Sequence, residues 1–173
     1  LVGSEMCIRD SIGSMAVQIC KAVGANAIGI ISDDEKIPFV KKLGAVGVLN
    51  RKNYDCFGQL PDVKNQEEYN DFIKKCRVLG KDIWGITGKK DVDIVFEHPG
   101  ESTFPVSCYL VKTGGMVVIC AGTSGYNLTM DARYVWMRQK RIQGSHFANL
   151  FQANQANDMT VSYTHLTLPT TTI

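Results

Sequence analysis

The chain has 173 residues, with 19 lysines and arginines against 17 aspartates and glutamates and a formal charge of +2. So mild a balance argues against a nucleic-acid or membrane-surface partner. No run of about 18 apolar residues occurs, so no segment reads as a membrane-spanning helix.

The ends differ from the rest. Met6-Cys7-Ile8-Arg9-Asp10-Ser11 is what ATG TGT ATA AGA GAC AG encodes, and Val161-Ser162-Tyr163-Thr164-His165-Leu166 is what GTC TCT TAT ACA CAT CT encodes. Those strings are reverse complements over that stretch, and they resemble a transposase sequencing adapter read in on one side and out on the other. Residues 1–11 and 161–173 are therefore expected to be adapter-derived and not native, and to stand outside fold reasoning. Tyr163, Leu166 and Leu168 should then pack poorly. The domain proper is expected over residues 12–160, as a piece of a longer protein.

Within it, Ile12 to Val23 reads as a helix with Met15, Ala16, Ile19, Cys20 and Val23 on one face, ended by Gly24. Ala27 to Ile31 is a short apolar strand. Asp33 or Asp34 caps a helix to about Leu43, where Gly44 stops it. Val46 to Leu49 is a strand. Asn50 to Asn65 is a polar loop, long enough to be either functional or disordered. Gln66 to Ile86 is helical, with Tyr69, Ile73, Cys76, Val78 and Ile83 as apolar candidates. Val92 to Phe96 is a strand, and a helix follows to about Lys112. Gly114-Gly115 turns into a strand over Met116 to Ala121. Tyr134 to Lys140 is a short helix, Arg141 to Ser145 a last strand, and a helix carrying Phe151 follows. Continuous apolar strands alternating with amphipathic helices predict a parallel sheet covered on both faces. Cys20, Cys56, Cys76, Cys108 and Cys120 form no CxxC and read as buried, reduced thiols.

Candidate site residues fall where such a sheet binds ligands. Gly13, just inside the first helix, fits the third glycine of a GxGxxG unit, which lets helix and strand pack closely. Its plainer reading is a glycine near a helix start. Ser32 and Lys36 follow the next strand, where the ribose of a dinucleotide is read; they suit a 2′-phosphate and so NADP, while Asp33 suits a free 2′-hydroxyl. The same stretch also reads as a capping loop with a solvated lysine. His98, in Glu97-His98-Pro99-Gly100, and Gly122, in Gly122-Thr123-Ser124-Gly125, each follow a strand at one edge. His98 could equally be bonded to backbone. His146, after the last strand, can present an imidazole to a ligand, or serve as a capping or core residue. Within residues 12–160, two histidines with no CxxC and no HExxH give no metal constellation.

Three stretches carry a resemblance: Asp93-Ile94-Val95-Phe96-Glu97-His98-Pro99-Gly100, Asp131-Ala132-Arg133-Tyr134-Val135-Trp136-Met137, and Lys140-Arg141-Ile142-Gln143-Gly144-Ser145-His146-Phe147-Ala148-Asn149. They closely resemble the crotonyl-CoA carboxylase/reductase family of the medium-chain dehydrogenase/reductase superfamily. The resemblance implies an α/β, Rossmann-type doubly wound parallel sheet in strand order 3-2-1-4-5-6. Its first strand is expected to be missing from the native sequence, which predicts a truncated sheet with either a gap between the second and fourth strands or another segment, such as the adapter, filling it. The resemblance also implies NADPH as cofactor, an acyl-CoA and CO2 as partners, a cytoplasmic homo-tetramer at full length, and an inactive chain as it stands. By the same resemblance His146 holds CO2 beside the enolate through an ordered water. Arg133 and Tyr134 lie near the CoA moiety or a subunit contact, and Ser32 and Lys36 read the 2′-phosphate. The implied reaction turns crotonyl-CoA into ethylmalonyl-CoA. The competing readings are a non-carboxylating enoyl-CoA reductase of the same superfamily and a cofactor-binding regulator or structural protein related to quinone reductases and lens crystallins.

Overall fold

The structure, a computed structural model, describes residues 2–4 and 12–162, and the side chains of residues 12–159. Its elements are β1 (Val2–Ser4), α1 (Ile12–Ala22), β2 (Ile28–Ile31), α2 (Ile37–Leu43), β3 (Gly47–Asn50), α3 (Gln66–Thr87), β4 (Val92–Glu97), α4 (Phe104–Leu110), β5 (Val111–Ile119), α5 (Arg133–Trp136), β6 (Arg141–Gly144) and α6 (Leu150–Ser162). Single 3-10 turns, Asp34–Lys36 and Arg51–Asn53, follow β2 and β3.

The strands form one sheet in the order β3-β2-β1-β4-β5-β6, and every pairing is parallel. The expected gap is filled. Val2–Ser4 pairs with Ile28–Ile30 on one side and with Val95–Glu97 on the other. A ladder is made of backbone N–H and C=O groups, and leaving two strand edges unpaired inside a sheet is costly. Any extended segment can satisfy them, so the sheet shows no missing strand. Tyr163, Leu166 and Leu168 lie outside the described residues.

Both sheet faces are covered, which explains why β2 is buried along its whole length. Ile28 and Ile30 join a core with α3 and α4 that includes Phe72, Leu79 and Val95. Ile31 turns the other way, onto Val17, Cys20 and Val40 under α1 and α2. Each fully buried aliphatic side chain of this kind contributes about 1.5–3 kcal/mol.

Five expectations are revised. The inner face of α1 is Ser14, Val17, Gln18 and Cys20, while Ile19 and Val23 are exposed. The inner face of α3 is Tyr69, Phe72, Cys76, Leu79 and Ile83, and Val78 faces solvent. The loop after β3 is pinned down: Cys56 is buried, Tyr54, Phe57 and Leu60 pack on the core, and the Tyr54 hydroxyl donates to Asp82 Oδ2 at 2.6 Å. Gly114 and Gly115 lie within β5, not before it. The register slips there, with Val92 opposite Val111 but Ile94 opposite Met116. The expected turn is thus an outward irregularity in a continuous strand. The helix before β6 is a single turn, Arg133–Trp136, and does not reach Lys140.

Candidate functional site at the carboxyl edge

In a parallel sheet every strand ends on the same edge, so the loops after β2, β4, β5 and β6 share one rim. Ser32 and Lys36 follow β2, His98 follows β4, Gly122 follows β5, and His146 follows β6. Gly13 is the second residue of α1, whose N-terminus belongs to the same rim, where a helix start favours an anion. The structure therefore brings six of the eight predicted site residues to one edge. Ser32, Lys36, Gly13, His98 and Gly122 are half-buried; His146 is exposed, with its ring 4.0 Å from that of Phe147.

The loops after β4 and β5 are laced together. The Ser124 N–H and hydroxyl both donate to Pro99 O at 2.7 Å, and Gly100 and Gly125 form a parallel bridge. A Cβ on Gly100, whose φ is +92°, would lie 2.5 Å from Gly125 O and 3.0 Å from Gly122 Cα. Two backbones at that separation leave no room for side chains, which is the close approach glycine permits. Beside them a cavity of about 520 Å³ is lined by Cys120, Gly122, Gly125, Tyr126, Ser145 and His146. That volume suits a small reacting group or one ring of a cofactor.

Glu97 holds this rim in place. It is the last residue of β4 and fully buried. Its Oε1 accepts from Gly100 N at 3.0 Å and from Thr103 Oγ1 at 2.5 Å, and its Oε2 accepts from the Ser107 hydroxyl. A buried carboxylate is tolerated when its lone pairs are taken. The carboxylate thus ties the His98 loop to the start of α4. Sequence reasoning passed over it, although its signal was there: a carboxylate ending an apolar strand, with hydroxyl residues Thr103 and Ser107 just beyond. Cys120 was also missed. It is half-buried at the tip of β5, its thiol faces Glu97 O at 3.8 Å, and burial pushes its pKa up, so it stays a thiol.

Arg133 and Tyr134 are not part of this group. They lie on α5, which precedes β6, and so at the amino edge of the sheet. There Asp131, 6% exposed, accepts from Arg133 N at 3.0 Å, from Nε at 2.9 Å and from Nη2 at 2.6 Å, and from the Tyr69 hydroxyl at 2.6 Å. The Arg133 guanidinium holds the Asp131 carboxyl at about 2. Lys140 is buried nearby and donates to the carbonyls of Cys108 and Tyr109 at the end of α4, with its Nζ 4.5 Å from the Tyr134 ring centre. Burial lowers its pKa to about 8. A second cavity of about 720 Å³, lined by Arg77, Lys81, Arg133, Tyr134 and Lys140 among others, opens at this edge.

The strand order and the crevice at the carboxyl rim define the class: a Rossmann-type nucleotide-binding domain. The chain belongs to the zinc-binding dehydrogenase family, whose profile matches residues 11–161. It is 61% identical over 151 residues to a crotonyl-CoA carboxylase/reductase of Cereibacter sphaeroides, covering 87% of this chain and 35% of that protein. It is 42% identical over 146 residues to a crotonyl-CoA reductase of Streptomyces collinus, covering 84% of this chain and 31% of that protein. A crotonyl-CoA carboxylase/reductase solved in complex with NADP superposes with a TM-score of 0.84 at 37% identity, covering 94% of this chain and 40% of that one. The chain spans about a third of the length of the curated relatives it matches. Despite the family's description, no three His, Cys, Asp or Glu side chains converge as a metal site among the described residues. No described helix is long and apolar enough to cross a membrane.

Proposed function

We propose that this chain is the nucleotide-binding part of an NADPH-dependent reductive carboxylase that converts crotonyl-CoA and CO2 to ethylmalonyl-CoA. The observation that carries the reading is the placement of His146. It shares one cavity with the glycine loop after β5, on the rim that also holds Ser32, Lys36 and His98. The complex of a 37% identical relative with NADP supports the cofactor, and the residues present fit it. Gly13 opens α1 toward a pyrophosphate, Ser32 and Lys36 suit a 2′-phosphate, and the close approach at Gly100, Gly122 and Gly125 gives a side-chain-free floor.

Bound there, NADPH supplies the hydride that reduces the β-carbon of the enoyl thioester. The electron pair of the resulting enolate forms the bond from the α-carbon to CO2, so the product carries the new carboxylate and no proton is consumed. His146, in this reading, orients CO2 through an ordered water. Its contribution is the placement of an electrophile, a proximity effect. Exclusion of competing proton donors from the cavity favours carboxylation over protonation. Cys120 as a thiol and Tyr126 line the cavity and are the nearby groups that such exclusion must keep off the enolate.

The same reading extends to the parts at either end. Residues 1–11 and 161–173 are adapter-derived in this reading, on the strength of their reverse-complementary codons. The full-length protein is a cytoplasmic homo-tetramer. Arg133, with its side chain 48% exposed, and Tyr134 face the amino edge and serve the CoA moiety or a neighbouring subunit and not the His146 cavity. The non-carboxylating enoyl-CoA reductase is a second reading, favoured by the Streptomyces collinus relative named as a reductase.

His146→Asn in the full-length protein separates the two. The share of ethylmalonyl-CoA should fall while reduction to the saturated acyl-CoA survives, read as the product ratio at fixed bicarbonate with NADPH in excess. If both products fell together, His146 would support the fold or hydride transfer, and the reductase would be the better reading.

A further inference from the structure

We infer that Asn50 is a specificity-determining residue: by holding the Asp34 carboxylate toward β3, it keeps the loop after β2 open to a nucleotide 2′-phosphate. The inference rests on the NADPH reading above and deepens it.

The problem it resolves is one of charge. In sheets of this order the loop after β2 meets the adenosine ribose. A carboxylate free there accepts from a 2′-hydroxyl and repels a 2′-phosphate. Ser32-Asp33-Asp34-Glu35-Lys36 places acidic residues in that loop beside the serine and lysine that a 2′-phosphate needs.

The structure gives both aspartates other work. Asp33 is extended, with φ −152°, and its Oδ1 accepts from Glu35 N at 3.2 Å, capping the 3-10 turn. Asp34 Oδ1 accepts from Asn50 Nδ2 at 2.8 Å. Asn50 is itself anchored. It is 8% exposed, it is paired opposite Ile31 as the last residue of β3, and its Oδ1 accepts from Lys52 N at 3.0 Å. Donor and acceptor ends of the amide are both occupied, so its orientation is set by the backbone of the next turn.

Topology supplies the direction. β3 stands on the side of β2 remote from β1 and β4, whose boundary is the switch point of the sheet. The hydrogen bond from β3 therefore holds the Asp34 carboxylate on the β3 side of the loop, by the turn that carries Arg51 and Lys52. Ser32 and Lys36 are half-buried in the same loop, and neither side chain is bonded to Asp33 or Asp34. Asn50 acts through Asp34 and is a positioning residue; it touches no ligand.

The test uses the full-length protein and two probes, 2′,5′-ADP and 5′-AMP, each titrated by calorimetry. Wild type should prefer 2′,5′-ADP. Asn50→Ala should reduce that preference about tenfold, the scale of one charge released beside a phosphate. Asp34→Asn alone should stay within about twofold of wild type, because the charge it removes is already turned aside. The double variant should recover the preference, a rescue that a purely structural role of Asn50 cannot give. The inference is overturned if Asn50→Ala leaves the ratio unchanged, or weakens both probes equally with no recovery in the double variant. A wild type that binds both probes alike overturns the NADPH reading, and the inference with it.

Discussion

At the carboxyl edge, His146 is exposed, Ser32 and Lys36 are half-buried, and the loops meet through glycine backbone with a cavity left between them. At the amino edge, Asp131 and Lys140 are buried and spend their hydrogen bonds on Arg133, Tyr69 and the last carbonyls of α4. Both edges belong to one sheet, yet one keeps polar groups available and the other consumes them. The difference teaches where to look for chemistry: polar groups satisfied within the protein stabilise it, and those held in place but left open can act on a ligand. Glu97 is the exception at the carboxyl edge, and it is the buried anchor on which the open loops depend.

The largest expected effect breaks that anchor. Glu97→Leu strands the Gly100 N–H and the Thr103 and Ser107 hydroxyls in a buried site. It should cost about 3 kcal/mol or more in urea unfolding and weaken NADPH binding along with stability. An unchanged midpoint would mean that the rim is held by the Pro99–Ser124 lacing alone.

Asp131→Asn attacks the other edge. It should cost about 2 kcal/mol of stability, since the Arg133 partner is half-exposed and screened, while NADPH affinity stays the same. The pH dependence has a definite sign. The carboxyl is held at about 2 in the folded protein against an ordinary 3.8, so the unfolded state takes up a proton first. Its stabilisation is full above about pH 4 and is lost as the pH falls toward 2. Acid unfolding of Asp131→Asn should lack that component. A loss of NADPH binding equal to the loss of stability would erase the distinction between the two edges.

Lys36→Ala should give the smallest effect on the fold and a selective one on binding. NADPH should weaken about tenfold and NADH hardly at all, because only the former loses a cationic partner to its 2′-phosphate. The unfolding midpoint should move by no more than about 0.5 kcal/mol. Equal losses for both nucleotides would show that Lys36 does not read that phosphate.

Much of this contrast was legible in the sequence. Apolar runs of strand length between helical segments pointed to a parallel sheet, because both faces of each strand must be buried, and the strand order followed from the resemblance. The strand ends then put Ser32, Lys36, His98, Gly122 and His146 on one rim. What the pattern hid has physical causes. The inner face of α1 runs through Ser14 and Gln18, not Ile19 and Val23. Gln18 Nε2 donates to Ser14 O at 3.2 Å, so two polar residues enter the interior with their bonding arranged locally. Phe72 and Leu79 replace Val78 in α3 because the helix phase, not hydrophobicity alone, decides which side chain faces the sheet. The loop after β3 looked polar, yet Cys56 and its aromatic neighbours pin it to the core. A filling segment was one of the two expected outcomes, but its exact residues, Val2–Ser4, were not legible, because a ladder selects extended backbone and not side chains. Arg133 and Tyr134 are expected near the CoA moiety or a subunit contact, and the chain direction through α5 and β6 puts them at the edge opposite His146.

The most direct test of the division between edges is hydrogen exchange on the full-length protein with NADPH and then with an acyl-CoA. NADPH alone should slow exchange at residues 12–16, 32–36, 98–101, 122–125 and 144–146, and leave 131–140 unchanged. An acyl-CoA should add protection at Arg133 and Tyr134. Protection of 131–140 by NADPH with no change at the carboxyl rim would contradict the account, because the cofactor would then sit at the wrong edge of the sheet.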